Sequence, residues 1–157
     1  GETFTNAAME WGTEKEGEAR DAYAFYTNNN VELVDFVVHP AITMSGASPD
    51  AYVGGDGLVE IKCPNTATHI ATLLGGSVPG KYRLQMMWQM ACTGRKWCDF
   101  VSFDPRMPED MRLFVRRLER CDQTIAELET EVRAFLAEVD DTVARLTAAY
   151  RVQQAAE

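Results

Sequence analysis

The residue types that suggest chemistry lie in two short segments, Ser48-Pro49-Asp50 and Glu60-Ile61-Lys62. Side chains alternate between the two faces of a β-strand, so Glu60 and Lys62 would share one face. Two carboxylates and a main-chain carbonyl are the hard oxygen ligands that Mg²⁺ or Mn²⁺ prefers, and a neighbouring lysine could orient or deprotonate a water and stabilise charge on a phosphate. The two segments therefore predict a metal-dependent nuclease site. The alternative is an exposed hairpin with ordinary surface charges.

The stretch between these segments is predicted to form a β-hairpin that brings the two carboxylates together. A glycine-rich turn separates two β-rich arms, and the apolar residues of both arms fall on odd positions. If odd positions face the core on both arms, the pairing is centred on Gly55, which sets Asp50 opposite Glu60 and Ser48 opposite Lys62. Opposed like charges cost roughly 0.2–1 kcal/mol in an antiparallel pair. A bound cation would offset that cost.

Helices and further strands are predicted to hold this hairpin in place. The sequence predicts a helix over residues 5–27 with Thr5 or Asn6 as its N-cap, a strand over 31–38 and a short helical turn between Pro64 and Gly76. A second helix is expected over 81–93 with a stop at Gly94, followed by strands over 97–103 and 111–118. This pattern predicts an α/β fold.

The last quarter of the chain is predicted to form one long amphipathic helix, residues 121 to about 155. It contains no Gly or Pro after Asp122, and its apolar residues recur at helical spacing. Its apolar stripe would either cover the sheet or serve as a coiled-coil or partner surface. We therefore expect one nuclease domain over residues 1–157, with a core at about 5–120 and the long helix beyond it.

Composition limits the protein class. The net charge of −9 disfavours a nucleic-acid partner, but residues 81–120 carry nine basic and five acidic side chains, so positive charge is concentrated there. The four cysteines form no metal-binding pattern, which argues against a structural zinc site and favours reduced thiols. No apolar run is long enough for a membrane span, and no signal pattern opens the chain. A soluble, cytoplasmic protein is expected.

The order of these elements resembles the PD-(D/E)xK nuclease superfamily. The motifs W-G-T-E-K-E (Trp11 to Glu16), S-P-D, V-E-I-K-C-P, L-G-G, Y-R-L-Q and F-D-P-R-M are similar to those of the phage lambda exonuclease or YqaJ-like viral recombinase family. The resemblance implies a restriction-endonuclease-like mixed central sheet flanked by helices. It also implies 5′-to-3′ digestion of double-stranded DNA with free ends, using one or two Mg²⁺ or Mn²⁺ ions, by a phage or prophage protein in a bacterial host.

The same resemblance assigns roles to individual residues. Glu16 would join Asp50, Glu60 and the Ile61 carbonyl as metal ligands, and Lys62 would activate the water. Gln85 would lie near the reacting phosphate, although Gln85 and Gln89, one turn apart, could both be ordinary polar positions. Ser48 would help hold a terminal 5′-phosphate. DNA backbone contacts by Lys81, Tyr82 and Arg83 are also expected, with surface solvation or packing as the alternative.

The sequence departs from the family pattern at two places, and other functions remain as alternatives. Thr68 stands where the lambda-type enzyme has an arginine that handles the 5′ end, and the chain begins almost at the W-G helix, without the helical segment that usually precedes it. The family implies a ring-shaped homotrimer and a single-strand annealing protein as partner. Two rivals stay open: a restriction-type endonuclease or resolvase of the same superfamily, and a non-catalytic DNA-binding or interaction module.

Overall fold

A five-stranded mixed sheet carries the predicted site residues. It lies in the first of two units into which the chain divides, residues 1–121 and 122–157. The computed structural model describes residues 7–156, with side chains for residues 7–151, so the predicted cap at Thr5 or Asn6 lies outside the described residues. In chain order the elements are α1 (Ala7–Thr27), β1 (Val31–Leu33), β2 (Val37–Val38), β3 (Gly46–Ala47), β4 (Ala51–Val53), β5 (Gly57–Lys62), α2 (Thr66–Gly75), α3 (Gly80–Thr93), β6 (Trp97–Phe103), β7 (Leu113–Glu119) and α4 (Asp122–Ala156).

The sheet has the order β1-β4-β5-β6-β7. Strands β5 and β6 are parallel because α2 and α3 form the crossover between them, and the other neighbours are antiparallel. Helix α1 packs against β5, β6 and β7, whereas α2 and α3 pack against β6. The predicted α/β architecture, a mixed central sheet flanked by helices with a long C-terminal helix, is confirmed.

The predicted hairpin register is also confirmed, because Ala51 pairs with Val59 and Val53 with Gly57 around a turn centred on Gly55. The ladder, however, ends at the Ala51 pair. Asp50 lies in a bend before β4, so the expected ladder pairs of Asp50 with Glu60 and of Ser48 with Lys62 do not form. Pro49 has no N–H for a ladder, and the Asp50 carboxylate takes the Ile61 N–H at 2.7 Å.

The predicted strand over 31–38 is wrong as a single element. Its first part, β1, pairs with β4 in the large sheet, and its second part, β2, pairs with β3 in a separate two-stranded sheet. Between them the chain turns so that the Phe36 ring lies directly against Gly46, where any side chain would collide with it. Helix α2 is also longer than the expected turn, because Asn65 accepts the Thr68 N–H at its start and Gly76 ends it in the left-handed conformation.

A buried polar network fixes α1 on the sheet. The Tyr23 hydroxyl donates to Asp99 Oδ2 on β6 at 2.6 Å, and Arg117 Nε on β7 donates to Asp99 Oδ1 at 2.8 Å. Burial, followed by the hydrogen bond to Asp99, raises the pKa of Tyr23, so its hydroxyl stays protonated as the donor. Tyr23 lies two helical turns after Glu16, and the network therefore orients the helix that carries Glu16.

Replacing Tyr23 with phenylalanine is expected to lower the free energy of unfolding by about 1.5–3 kcal/mol, because the change removes one hydrogen bond to a charged, buried group. Urea denaturation at 25 °C measures the change. The matched control is Tyr26→Phe on the same helix, where the side chain is 75% exposed and the loss should stay within about 0.5 kcal/mol. Equal effects at both positions would contradict the role given to the Tyr23 hydroxyl.

The second unit is a single helix, α4, of 35 residues, as the sequence predicts. Exposed apolar side chains follow one stripe of its surface at helical spacing, namely Phe135, Val139, Val143, Leu146 and Tyr150. Over the described part of the chain, neither α4 nor any other helix is long and apolar enough to cross a membrane.

Candidate active site

Strand β5 places Glu60 and Lys62 on the face of the sheet that α3 covers. The odd-numbered neighbours Val59 and Ile61 point to the opposite face, where they pack in the core with Tyr23 of α1. The Glu60 side chain is only 3% exposed, and Lys62 Nζ lies 3.2 Å from its Oε1. Burial acts to lower the pKa of Lys62, but the charge of Glu60 and its hydrogen bond outweigh burial and raise that pKa. Lys62 is therefore an ammonium that compensates a buried carboxylate.

Asp50 reaches the same place from the bend before β4. Its Oδ2 accepts the Ile61 N–H, and Glu16 of α1 is close enough to contribute a hydrogen bond to it. Burial, then the negative charge of Glu60 and then Glu16, raise the pKa of Asp50 to about 7, although the Ile61 N–H acts to lower it. Glu60 of β5 and Glu16 of α1 are therefore close enough for their charges to act on Asp50.

An open cavity of about 460 Å³ is lined by residues that include Glu16, Asp50, Ile61, Lys62 and Tyr82. Glu60 is not among its lining residues and is connected to it through the contact with Lys62. A second cavity, of about 300 Å³, shares Lys62, Pro64 and Tyr82 with the first. Tyr82 stacks on Phe100 with ring centroids 5.4 Å apart, and the Nζ atoms of Lys62 and Lys81 lie 4.8 and 4.9 Å from the Tyr82 ring. Two ammonium groups therefore flank the wall between the cavities.

The donor set fits a hard cation held by few protein ligands. Among the described residues no three acidic, histidine or cysteine side chains are arranged to hold one ion. Mg²⁺ is usually bound through one or two carboxylates and keeps water or substrate oxygens as its remaining ligands. Asp50 and Glu60 can supply that pair, since the Asp50 carboxylate accepts the N–H of Ile61, the residue that follows Glu60 on β5. The roles of Glu16 and the Ile61 carbonyl as further ligands stay predictions.

Three predicted DNA-binding residues do not line the cavity that contains Asp50. Ser48 and Arg83 are exposed and line neither cavity, whereas Lys81 lines only the second. Much of the positive charge of residues 81–120 is engaged in the fold, through hydrogen bonds of Arg95, Arg106, Arg112, Arg116, Arg117 and Arg120 to main-chain oxygens or to Asp99 and Asp104. The charge count of this segment therefore overstates the surface available to a phosphate backbone.

Helix α3 supplies two amides to Glu60. Gln85 Nε2 donates to Oε1 at 3.3 Å, which brings this predicted residue to the site, and Gln89 Nε2 donates to Oε2 at 2.8 Å. The sequence motifs assign no site role to Gln89. The available signal was its spacing, since a residue four positions after Gln85 lies on the same helix face.

Comparisons with known proteins identify the family and the fold. The sequence profile of the YqaJ-like viral recombinase domain matches residues 1–96. Solved structures of LHK-Exo, an alkaline exonuclease from Laribacter hongkongensis, alone and in complex with dAMP, are similar to the chain with TM-scores of 0.89 and 0.88. Each is 54% identical over 90% of this chain and 73% of that chain. A phage-related exonuclease from Haemophilus somnus shares the fold, with a TM-score of 0.69 at 16% identity over 90% of this chain and 74% of its own. A search of curated proteins gave no match.

Proposed function

Because the chain belongs to the family of YqaJ-like viral recombinase domains and is a DNA exonuclease of that family, we propose that it digests double-stranded DNA from 5′ ends in a reaction that requires Mg²⁺ or Mn²⁺. The observation that carries the proposal is that Asp50 and Lys62 line one open cavity, while the buried Glu60 carboxylate contacts Lys62 and the Ile61 N–H next to it in sequence holds Asp50. Two carboxylates beside an ammonium suit the hydrolysis of a phosphodiester, which needs both a cation and a positive group near the phosphate.

Each site residue would have a separate role in the reaction. Asp50 and Glu60 would hold the cation, which when bound supplies charge neutralisation at the phosphate and activation of water. Lys62 is held as an ammonium, so it would donate hydrogen bonds to the attacking water or to a phosphate oxygen. Gln85, exposed on α3 and hydrogen-bonded to Glu60 Oε1, would help to position the water. The Ile61 N–H keeps the Asp50 carboxylate directed at β5.

The 5′-to-3′ direction rests on the resemblance to the family. Ser48 would help to hold the terminal 5′-phosphate, and Lys81 and Tyr82 would contact the strand. Thr68 replaces the arginine that handles the 5′ end in the lambda-type enzyme, so this chain would hold the phosphate without that arginine. LHK-Exo has been solved in complex with dAMP, a deoxyribonucleotide, which supports DNA as the substrate of this chain. We also propose that the chain works as a ring-shaped homotrimer beside an annealing protein in phage recombination, and light scattering after size-exclusion chromatography would measure its oligomeric state.

Linear and closed-circular forms of one plasmid provide the functional test. The protein with Mg²⁺ is expected to degrade the linear form and leave the covalently closed circle intact, because an exonuclease needs an end. EDTA should abolish digestion. A linear duplex labelled at either its 5′ or its 3′ termini, read at early times, gives the direction. Nicking of the closed circle would contradict the exonuclease proposal and favour an endonuclease, and early release of 3′ label alone would contradict the 5′-to-3′ direction.

A further inference from the structure

The buried amide of Gln89 contacts the site but has no part in the mechanism above. Gln89 belongs to α3, which packs against the sheet, and is 2% exposed. Its Nε2 donates to Glu60 Oε2 at 2.8 Å, whereas Lys62 and Gln85 both approach the other oxygen, Oε1, at 3.2 and 3.3 Å. We propose that Gln89 is a positioning residue that fixes the Glu60 carboxylate for cation binding. The inference rests on the proposed function, because it assumes a cation at Glu60.

Burial makes this hydrogen bond important. A carboxylate removed from water must be hydrogen-bonded or paired to stay ionised. Within residues 7–151, Gln89 is the one residue that donates to Oε2, so this oxygen depends on a single amide. The bond anchors the inner oxygen of Glu60 and limits rotation of the carboxylate. Oε1 is thereby kept on the side of Lys62 and Gln85.

The second polar atom of Gln89 shows that its amide is oriented by Glu60 and not by packing. Gln89 Oε1 is buried and accepts no hydrogen bond from the described residues. Leaving a buried acceptor unpaired costs about 1–3 kcal/mol, which an apolar side chain of the same size would avoid. Turning the amide over would set this oxygen against a Glu60 oxygen, because a glutamine carries its donors on one side only. The contact with Glu60 therefore accounts for an arrangement that the fold alone disfavours.

The experiment compares Mn²⁺ binding with stability in matched variants of the full chain. Gln89→Met keeps the length and removes the donor. Thr93→Val is the control on the same helix, since the Thr93 hydroxyl donates to the main-chain oxygen of Gln89 at 2.8 Å and does not contact Glu60. Isothermal titration calorimetry with MnCl₂ alone gives the dissociation constant, thermal melting in EDTA gives the stability, and duplex binding in EDTA gives the DNA affinity.

Gln89→Met is expected to weaken Mn²⁺ binding about 10- to 100-fold, the range for groups that orient metal ligands, and to leave duplex affinity unchanged. Thr93→Val should lower the melting temperature without changing Mn²⁺ affinity. Wild-type Mn²⁺ affinity in a folded Gln89→Met protein would overturn the inference. If Gln89→Met does not fold, Gln89→Asn, which retracts the amide from Glu60, decides by the same criterion, and unfolding of both variants would assign Gln89 to the fold and overturn the inference. Absence of Mn²⁺ binding to the wild-type protein would instead refute the proposed function.

Discussion

Replacing Lys62 with methionine is expected to reduce the turnover of linear duplex DNA about 10²- to 10⁴-fold at saturating Mg²⁺, the range for loss of one group that transfers protons or stabilises charge in a transition state. Methionine keeps the aliphatic chain that lines both cavities and removes the ammonium 3.2 Å from Glu60. Single-turnover digestion of a labelled linear duplex measures the effect, and binding of the same duplex in EDTA shows whether affinity changes with it.

Lys96→Met is the matched control for this prediction. Lys96 is 71% exposed and pairs only loosely with Asp56, at 3.7 Å on the surface, and such pairs contribute about 0–1 kcal/mol. Its replacement should leave turnover within about two-fold of wild type, well inside one decade of rate. Comparable losses in Lys62→Met and Lys96→Met would mean that general positive charge, and not the position beside Glu60, supports the reaction.

Replacing Asp50 with asparagine is expected to abolish Mg²⁺-dependent digestion and, at the same time, to stabilise the metal-free protein above pH 7. Asparagine can still accept the Ile61 N–H but carries no charge beside Glu60 and Glu16. Relief of this repulsion, on the order of 1 kcal/mol for a single substitution, would raise the melting temperature in EDTA by about 2–4 °C. A variant that is less active yet more stable is typical of a charged functional site.

The raised pKa of Asp50 predicts how the stability of the wild type changes with pH relative to Asp50→Asn. The pKa of Asp50 is raised from 3.8 to about 7 in the folded protein, so the folded chain binds more protons than the unfolded chain between those values. The stability that this carboxyl contributes is complete below about pH 4 and is lost as the pH rises to about 7. In EDTA, the melting temperature of the wild type should therefore fall relative to Asp50→Asn across this window.

Addition of Mg²⁺ at pH 8 should stabilise the wild type and not Asp50→Asn, because a ligand that binds only the folded state raises its stability. Asp56→Asn, at an exposed turn position 60% open to solvent, is the control and should follow the wild type in both EDTA and Mg²⁺. A parallel response of Asp50→Asn and wild type to Mg²⁺ would separate Asp50 from the metal site.

The register of the hairpin could be predicted from the sequence because one-residue alternation leaves a single pairing that buries Val53 and Val59 together. The helix ends at Gly76 and Gly94 could also be predicted, because each is specified by a single glycine that adopts the left-handed conformation. The prediction of one continuous strand over residues 31–38 was wrong because β-propensity does not specify which strand a segment pairs with. Its two parts pair with β4 and β3.

At the site, the sequence motifs identified the carboxylates and the lysine, but local spacing could not predict their environment. Glu60 contacts α3, which lies in the crossover connection after β5. The hydrogen bond from Gln89 to Glu60 therefore joins residues 29 positions apart. The positive charge of residues 81–120 was also a poor guide to a DNA-binding surface, because the sequence does not show that Arg117 pairs with the buried Asp99. Long-range contacts thus determined which polar residues face the cavity and which stabilise the fold.

Diffraction from crystals of the protein grown with Mn²⁺ and measured at the manganese absorption edge tests the central claim most directly. The proposed function predicts an anomalous peak about 2.1 Å from carboxylate oxygens of both Asp50 and Glu60, the distance expected for a small hard cation. A peak bound elsewhere, or no peak at these two residues at a Mn²⁺ concentration that supports digestion, would contradict it.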